Sequence, residues 1–289
     1  MVQKEKRLLI VVAGPTAVGK TAYCVELAKK YGTEIISADS RQFYKELSIG
    51  TAKPSKEEQG GVVHHFIDSH SIHEYFSPGD FEREALKVLD KLFQTHEVVI
   101  ATGGSGLYLK ALTDGLDEMP EVDLALRQTL NERLDLEGIE VLADELRSLD
   151  PDYAEKVDIQ NPQRIVRALE VCLTTGKPYS SFRKAKQAER PFQIQKICLD
   201  RPREILYQRI DQRMDEMLKN GLVAEAKKFE QFQDLYALKT LGYKEVYGHL
   251  RGEYDEAEMI RLLKRNSRHY AKKQLTWFRH QGEYEFIEL

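Results

Sequence analysis

Gly14-Pro15-Thr16-Ala17-Val18-Gly19-Lys20-Thr21 is the stretch of this 289-residue chain that decides its fold. It matches the pattern G-x-x-x-x-G-K-[ST], in which glycines let backbone amides crowd around phosphate oxygens. An apolar run at 8–13 precedes it and a helical pattern at 22–30 follows, so it joins a strand to a helix N-terminus that favours negative charge. We expect a phosphorylated ligand here, with Lys20 adding charge and Thr21 a hydroxyl for Mg²⁺. The alternative is a glycine turn that binds nothing.

The composition is that of a globular protein, with 42% hydrophobic and 31% charged residues. No run approaches the ~18 apolar residues of a membrane helix, so we expect a cytoplasmic protein without membrane contact. The cysteines, Cys24, Cys172 and Cys198, are widely spaced and form no C-x-x-C pair. This spacing suggests neither a disulfide framework nor a zinc site. The sequence does not report on oligomeric state, and we expect a monomer.

Apolar runs of β type alternate with helical or turn-rich segments, and they lie at 8–13, 34–38, 63–68, 98–102 and 194–199. This alternation predicts an α/β fold with a P-loop NTPase-like, mainly parallel sheet and helices on both faces. From about residue 120 to residue 190 no β-type run interrupts the helical pattern. We therefore expect a core of residues 1–119 and 191–289, with C-terminal helices, and a helical insertion domain at 120–190.

Two polar positions follow predicted strands at the edge where such sheets bind ligands. Asp39 comes after the run at 34–38, and Ser105 comes after the run at 98–102. Asp39 has three interpretations, namely Mg²⁺ coordination through water, helix capping and acceptance of a proton in catalysis. Ser105, in a glycine-rich turn, either bonds a ligand or caps the following helix.

Positive charge is concentrated in three places although the formal net charge is −4. Between Arg261 and His280 there are seven Lys or Arg residues and no acidic residue. Helical spacing places five of them on one face, here called the basic stripe: Arg261, Lys264, Arg265, Arg268 and Lys272. The other clusters are Arg183, Lys184, Lys186 and Arg190, and the pair Arg164 and Arg167. One cluster alone is typical of a solvated face, whereas three on an acidic protein favour a polyanionic partner.

Five further segments, taken in order with the phosphate loop, are more specific than the loop alone. They are Ser37-Ala38-Asp39-Ser40-Arg41-Gln42, Ile49-Gly50-Thr51-Ala52-Lys53-Pro54, Gly103-Gly104-Ser105-Gly106-Leu107-Tyr108, Asn161-Pro162-Gln163-Arg164-Ile165-Val166-Arg167-Ala168-Leu169-Glu170 and Lys273-Gln274-Leu275-Thr276-Trp277-Phe278-Arg279. Together they closely resemble tRNA dimethylallyltransferases, the isopentenyl-tRNA transferase family, over nearly the whole chain. The sequence has no Cys/His pattern near its end, and in this it resembles the bacterial members.

The resemblance implies transfer of a dimethylallyl group from dimethylallyl diphosphate to N6 of the adenine 3′-adjacent to the anticodon of tRNA. The phosphate loop would then hold the donor diphosphate and need not hold ATP. Lys20, the loop amides and Mg²⁺ would stabilise the leaving diphosphate. Asp39 would accept the N6 proton, with Ser105 helping to orient base and carboxylate. Arg213 matches a family position that contacts the diphosphate, and its alternative is a surface ion pair with Glu216.

The same resemblance implies a tRNA surface that is spread over several segments, including the helical insertion. Its predicted contacts are Asp39, Ser40, Arg41, Gln42, Ser105, Arg127, Gln163, Arg164, Ile165, Val166, Arg167, Lys239, Gly242, Tyr243, Lys244, Lys272, Lys273, Gln274, Trp277 and Arg279. The target adenine must leave the stack of the anticodon loop to reach the protein. Phe43, Tyr108 or Trp277 could support displaced bases, or they belong to the core.

Three other functions stay open at this point. A kinase would use the loop for ATP and Asp39 as the base for a hydroxyl acceptor, but it leaves the basic clusters unexplained. A non-catalytic RNA-binding protein would have no need of Asp39 beside a complete phosphate loop. Prenyl transfer to a free adenine nucleotide would need no long basic surface.

Overall fold

The computed structural model describes residues 7–121, 123–184 and 188–289, so Lys186 of the second basic cluster lies outside the described residues. The strands, β1 to β6 in chain order, are Leu8–Ala13, Ile35–Ser37, His64–His65, Val98–Gly103, Gln193–Asp200 and Glu285–Glu288. The α-helices, α1 to α12, are Lys20–Tyr31, Lys56–Gln59, Pro78–Leu92, Gly106–Asp114, Leu124–Glu137, Ile139–Leu149, Pro151–Ala154, Pro162–Thr175, Arg203–Lys219, Leu222–Lys228, Tyr243–Leu250 and Glu256–His280. Short 3₁₀ helices occupy Tyr179–Phe182 and Glu230–Phe232. Across the described ranges, every helix is too short or too polar to cross a bilayer.

The strands form one parallel sheet in the order β3-β2-β4-β1-β5-β6. The strand β1 pairs with β4 on one side and with β5 on the other. Its residues alternate between two apolar clusters, so that Leu9 and Val11 pack in one cluster while Ile10 and Val12 pack in the other. A strand covered on both faces is a continuous apolar run. The predicted α/β fold with a mainly parallel sheet is therefore confirmed.

The strands predicted from sequence need correction in several places. The runs at 98–102 and 194–199 extend to Val98–Gly103 and Gln193–Asp200. The run at 63–68 forms a strand of two residues, because Phe66 (φ 63°) and Asp68 (φ 55°) have a left-handed backbone that a strand does not accommodate. The run at 34–38 shortens to Ile35–Ser37. The edge strand β6 was not predicted, because its four residues are too short and too exposed to give a clear apolar pattern.

The chain divides into two compact units. Unit 1 takes in the residues up to Asp114 and those from Glu189 to Leu289, and it contains the sheet. Unit 2 takes in Gly115–Ala188 and is helical, with a core between α5, α6 and α8. The division predicted from sequence lies at residues 120 and 190.

A carboxylate of α10 holds the loop that follows β2. Glu225 accepts hydrogen bonds from the backbone amides of Ser48 (3.0 Å), Ile49 (2.9 Å) and Gly50 (2.9 Å) and from the Tyr243 hydroxyl (2.6 Å). Such charge-assisted bonds are stronger than neutral ones. The motif segment around Gly50 is thus held in place by helices that are far away in the sequence.

Replacing Glu225 by Ala should lower the free energy of unfolding by about 2–4 kcal/mol, because three amides and a phenol lose their acceptor. Urea denaturation of the purified protein measures the change. Lys227→Ala, at an exposed position of the same helix, is the matched control and should change stability by less than ~0.5 kcal/mol. Equal stability of the two variants would show that the loop does not depend on this carboxylate.

Candidate functional site

The carboxyl ends of β1, β2 and β4 bring three predicted site segments to one edge of the sheet. The strand β4 lies between the other two, with Gly103 beside Ala13 of β1 and Thr102 beside Ser37 of β2. The phosphate loop, the turn after β2 and the glycine-rich turn after β4 follow directly. Parallel α/β sheets bind their ligands at this edge.

The phosphate loop curls around its own lysine. Gly19, at the N-terminus of α1, has a backbone φ of 113°, an angle that residues with a Cβ rarely adopt. Ala17 has φ 64°, a conformation that costs a non-glycine residue about 1–3 kcal/mol. The Lys20 ammonium donates to the carbonyls of Gly14 (2.9 Å) and Pro15 (2.8 Å), and its burial lowers its pKa to about 8. The loop amides and the lysine together form a site for an anion.

Three arginines bind three successive residues of the loop: Arg213 donates to the Thr16 hydroxyl, Arg209 to the Ala17 carbonyl (2.8 Å) and Arg201 to the Val18 carbonyl (2.8 Å). Burial lowers the pKa of Arg213, and the nearby charge of Arg209 lowers it further. Glu216, the surface partner considered for Arg213, acts on it only through its charge. So much positive charge in one place suits a ligand with several negative charges.

Asp39 lies directly after β2 and interacts with the cations of the loop. Its Oδ1 accepts from the backbone amides of Arg41 (2.9 Å) and Gln42 (3.3 Å), which fixes the carboxylate in a turn. Its negative charge raises the pKa values of Lys20 and Arg213, against the effect of their burial. Both of these amides bind the same carboxylate oxygen, Oδ1.

Ser105 joins the two turns beside Asp39. Its Oγ accepts from the Ser40 amide (3.0 Å) and donates to the Ser40 hydroxyl (3.0 Å), so the side chain does not serve as a helix cap. Tyr270 of α12 reaches the same place, where Asp39 and Ser105 both influence the pKa of its phenol. The residue as a whole is 40% exposed, yet burial of its hydroxyl end, with the charge of Asp39, raises its pKa to about 12. Tyr270, which stands one helical turn before the motif residue Gln274, is not predicted from the sequence.

Gln274 and Trp277 of α12 lie against the loops of the site. The Gln274 side chain accepts from the Thr16 amide (2.9 Å) and donates to the Gly104 carbonyl (2.9 Å), and the residue is 7% exposed. Trp277 is partly buried, with its ring against Gly106. Both are predicted tRNA contacts. That prediction is corrected for Gln274, because its amide is buried and both of its ends bind protein.

The other predicted tRNA contacts of unit 1 are partly exposed and partly buried. The exposed ones are Lys239, Lys244, Lys272, Lys273 and Arg279. A cavity of about 340 Å³ is lined by Lys239 and Lys244 together with Arg251. Tyr243 is 0% exposed and Gly242 is buried. Neither residue is accessible to RNA in this structure, which corrects their prediction as tRNA contacts.

The turn after Asp39 is held from within unit 1. Gln42 donates from its side-chain amide to the carbonyls of Thr51 (3.2 Å) and Ala52 (3.1 Å). The Arg41 guanidinium lies over the ring of Tyr236, 4.6 Å from its centre, and Ser40 and Arg41 are both partly exposed. Of the aromatic candidates for base stacking, Phe43 and Tyr108 belong to the core.

In unit 2 the predicted contacts also divide. Gln163 and Arg164 are exposed, whereas Ile165 and Val166 belong to the core of the unit, which corrects their assignment to tRNA. Arg127 and Arg167 form ion pairs with Glu170 at 2.5 and 3.0 Å, and the Glu170 side chain is 1% exposed. A buried carboxylate needs such partners, so these two arginines have a structural role here.

The basic stripe of α12 is largely neutralised by carboxylates. Its ion pairs are Arg261 with Glu258 (2.6 Å), Lys264 with Asp215 (2.7 Å) and Arg268 with Asp211 (2.6 Å). These three cations are already paired within the protein, and their contact with a polyanion stays a prediction. Lys272 and its neighbour Lys273 are exposed, and within the described ranges neither forms an ion pair.

The residues present offer a divalent cation few ligands of their own. In the described part of the chain, no three His, Cys, Asp or Glu side chains come together as a metal site. Thr21 lies in the first turn of α1 and offers a hydroxyl. Because Mg²⁺ usually takes most of its ligands from water and substrate phosphates, the site fits a cation that is carried by a phosphorylated ligand.

The fold and the site define a class of protein, an α/β group-transfer enzyme with a cation-rich phosphate loop beside a carboxylate. A family model described as IPP transferase matches residues 42–281. The tRNA dimethylallyltransferase of Cytophaga hutchinsonii is 54% identical over 281 residues, which is 97% of this chain and 92% of the relative. The chain belongs to the IPP transferase family.

Solved structures agree with this assignment. The tRNA isopentenylpyrophosphate transferase of Bacillus halodurans is 37% identical with a TM-score of 0.70, and the match covers 98% of this chain and 90% of that one. A eukaryotic dimethylallyltransferase acting on tRNA is 26% identical with a TM-score of 0.78, over 98% of this chain and 74% of that one.

Arg213→Ala should weaken the binding of inorganic diphosphate with Mg²⁺ about tenfold or more, because a buried guanidinium that binds an anion contributes roughly 1.5–3 kcal/mol. Isothermal titration calorimetry measures the affinity. Arg203→Ala, at an exposed position of α9 with the guanidinium over Tyr207, is the matched control. If both variants bound diphosphate as the unsubstituted protein does, Arg213 would have no part in the anion site.

Proposed function

We propose that this chain transfers a dimethylallyl group from dimethylallyl diphosphate to N6 of the adenine 3′-adjacent to the anticodon of tRNA. One observation carries the proposal: Asp39 lies beside a cation-rich phosphate loop, in a member of the IPP transferase family. Relatives named tRNA dimethylallyltransferase match 97% of the chain. We assign the activity to a cytoplasmic monomer.

The phosphate loop binds the diphosphate of the donor. As N6 forms its bond to C1 of the dimethylallyl group, the C1–O bond breaks and its electron pair leaves with the diphosphate. The loop amides, Lys20 and Arg213 provide positive charge where this negative charge develops. Their interaction is stronger in the transition state than with the bound donor, so it accelerates the reaction.

Asp39 accepts the proton that N6 loses. An exocyclic adenine amine is a weak nucleophile because its lone pair is delocalised into the ring. Removal of a proton from N6 makes the nitrogen more nucleophilic and leaves the alkylated amine uncharged. The carboxylate is held by two backbone amides through Oδ1, and Oδ2 takes the proton. Ser105 orients the base, and the phenol of Tyr270, whose pKa is raised to about 12, is protonated at neutral pH.

The Thr21 hydroxyl would hold Mg²⁺ at the donor site, together with oxygens of the diphosphate. When bound, it neutralises charge on the leaving diphosphate. Because Mg²⁺ usually takes most of its ligands from water and substrate phosphates, one protein hydroxyl suits such a site.

The tRNA is bound through exposed positions on each unit. In unit 1 these are Lys239, Lys244, Lys272, Lys273 and Arg279, and in unit 2 they are Gln163 and Arg164. Contacts with RNA phosphates supply much of the affinity for such a substrate. The adenine leaves its stack in the anticodon loop and enters the site beside Asp39 and Ser105.

The direct test is incubation of unmodified tRNA with the protein, dimethylallyl diphosphate and Mg²⁺. The expected result is a gain of one dimethylallyl unit per tRNA, with one diphosphate released for each transfer. Nuclease digestion and mass spectrometry then locate the group on the adenine 3′ to the anticodon. A kinase would instead form ADP from ATP, and an enzyme for free nucleotides would modify AMP and leave tRNA unchanged. Either result would overturn the proposal.

Asp39→Asn should reduce the single-turnover rate by roughly 10²–10⁴, the usual range for loss of a general base. Folding and tRNA affinity should change little, because an amide oxygen still accepts the two backbone bonds. Asp90→Asn, at an exposed position of α3, is the matched control. A near-normal rate in Asp39→Asn would remove this carboxylate from the mechanism.

The double variant Lys272→Ala, Lys273→Ala should bind tRNA more weakly and with a shallower salt dependence. Each lost phosphate contact reduces the log–log slope by about 0.7–0.9. Filter binding at several salt concentrations measures both quantities. The control is Lys87→Ala, Lys91→Ala, which removes two exposed lysines one turn apart on α3. Identical slopes for the two double variants would move the RNA contacts away from α12.

A further inference from the structure

One buried amide spans the two halves of the site. Gln274 accepts from the backbone amide of Thr16 through Oε1 and donates from Nε2 to the carbonyl of Gly104, each at 2.9 Å. Thr16 belongs to the phosphate loop, and Gly104 precedes Ser105 in the other turn. With 7% exposure the amide has little competition from water, so both bonds are made in a medium that strengthens them.

The residues around Gln274 leave room and hydrogen-bonding groups for this contact. A Cβ on Gly104 would overlap the Gln274 amide nitrogen, so glycine is required for the close approach. The Thr16 side chain is bound separately by Arg213, which leaves its backbone amide to Gln274. Tyr270, one turn earlier on α12, meets Ser105 in the turn that Gln274 holds.

The chemistry of the contact requires an amide. One end of the side chain must accept a hydrogen bond and the other must donate one. A carboxylate accepts from Thr16 but cannot donate to the carbonyl of Gly104. A methionine of similar size does neither with comparable strength.

We propose that Gln274 is a positioning residue that couples occupancy of the phosphate loop to the geometry of the acceptor turn. This inference rests on the proposed function, because it takes the loop as the donor site and Ser105 as part of the acceptor site. When the diphosphate orders the loop, Thr16 becomes fixed, and the shared amide fixes Gly104 and therefore Ser105. Ser105 in turn binds Ser40, the residue next to Asp39. Donor binding thus prepares the place where N6 must lie.

Hydrogen–deuterium exchange with inorganic diphosphate and Mg²⁺ tests the coupling without any turnover. In the unsubstituted protein, exchange should slow in residues 14–21 and also in residues 103–108. In Gln274→Met, the first segment should still be protected and the second should not. Gln59→Met is the matched control, since Gln59 is a buried glutamine that donates to the carbonyl of Pro54 (3.0 Å) away from the site. It should behave as the unsubstituted protein does.

The possible results distinguish failure of the proposed function from failure of the coupling through Gln274. If diphosphate protects neither segment of the unsubstituted protein, the donor assignment and hence the proposed function is overturned. If it protects the loop but not residues 103–108, or protects both segments equally in Gln274→Met, the proposed function stands and the coupling is wrong.

Gln274→Glu adds a readout that general destabilisation would not produce. Burial and the facing carbonyl raise the pKa of the new carboxyl group. Below that pKa the protonated acid accepts from Thr16 and donates to Gly104, as the amide does; above it the donor is lost. The single-turnover rate relative to the unsubstituted protein, at saturating donor and tRNA, should therefore fall about tenfold between about pH 6 and pH 8. The charged groups of the site, Lys20, Arg213 and Asp39, are present in both proteins, so this ratio cancels their titration.

A relative rate that does not change with pH in folded Gln274→Glu would contradict the proposal. Thermal unfolding at both pH values shows whether the variant is folded. Should Gln274→Met fail to fold, the protonated form of Gln274→Glu, which retains the shape and both bonds of the amide, still provides the test.

Discussion

The cations around the phosphate loop repel one another until an anion joins them, and the rest of the site depends on this constraint. Burial disfavours the charged forms of Lys20 and Arg213, and Arg209 adds a further like charge. The loop carbonyls and Asp39 compensate only in part. In the proposed reaction a diphosphate supplies the missing negative charge, and its charge increases as it leaves. In this proposal the same arrangement serves binding and catalysis, without reorganisation during the reaction.

The turns proposed to receive the adenine are held beside this charged loop by the sheet and by α12. The sheet places the ends of β1, β2 and β4 side by side, and α12 then crosses the edge with Tyr270, Gln274 and Trp277 directed at the turns. Glu225 secures the loop beyond the Asp39 turn from another helix. Such fixed support is what a substitution reaction needs, because small displacements of the reacting atoms are costly.

The sequence alone predicts those features of the site that a short segment of the chain determines. The phosphate loop follows from eight adjacent residues, and Asp39 and Ser105 follow from their positions after strands. Tyr270 and Gln274 could not be placed, since helical spacing gives the face of a residue but not what packs against it; Gln274 binds a residue 258 positions away. The ion pairs of Lys264 and Arg268 in the basic stripe could not be predicted for the same reason, because Asp215 and Asp211 lie on a separate helix. Ile165 and Val166 stand in a motif resembling an RNA contact but fill the core of unit 2.

The central claim is that one edge of the sheet holds a prenyl diphosphate next to the carboxylate that receives the adenine proton. The most direct measurement is a crystal structure of the chain with an inert thio analogue of dimethylallyl diphosphate, Mg²⁺ and an anticodon stem-loop. The account predicts the diphosphate within hydrogen-bond distance of the loop amides, Lys20 and Arg213, with adenine N6 about 3 Å from Asp39 Oδ2. A diphosphate bound elsewhere, or an adenine whose N6 faces away from Asp39, would contradict it.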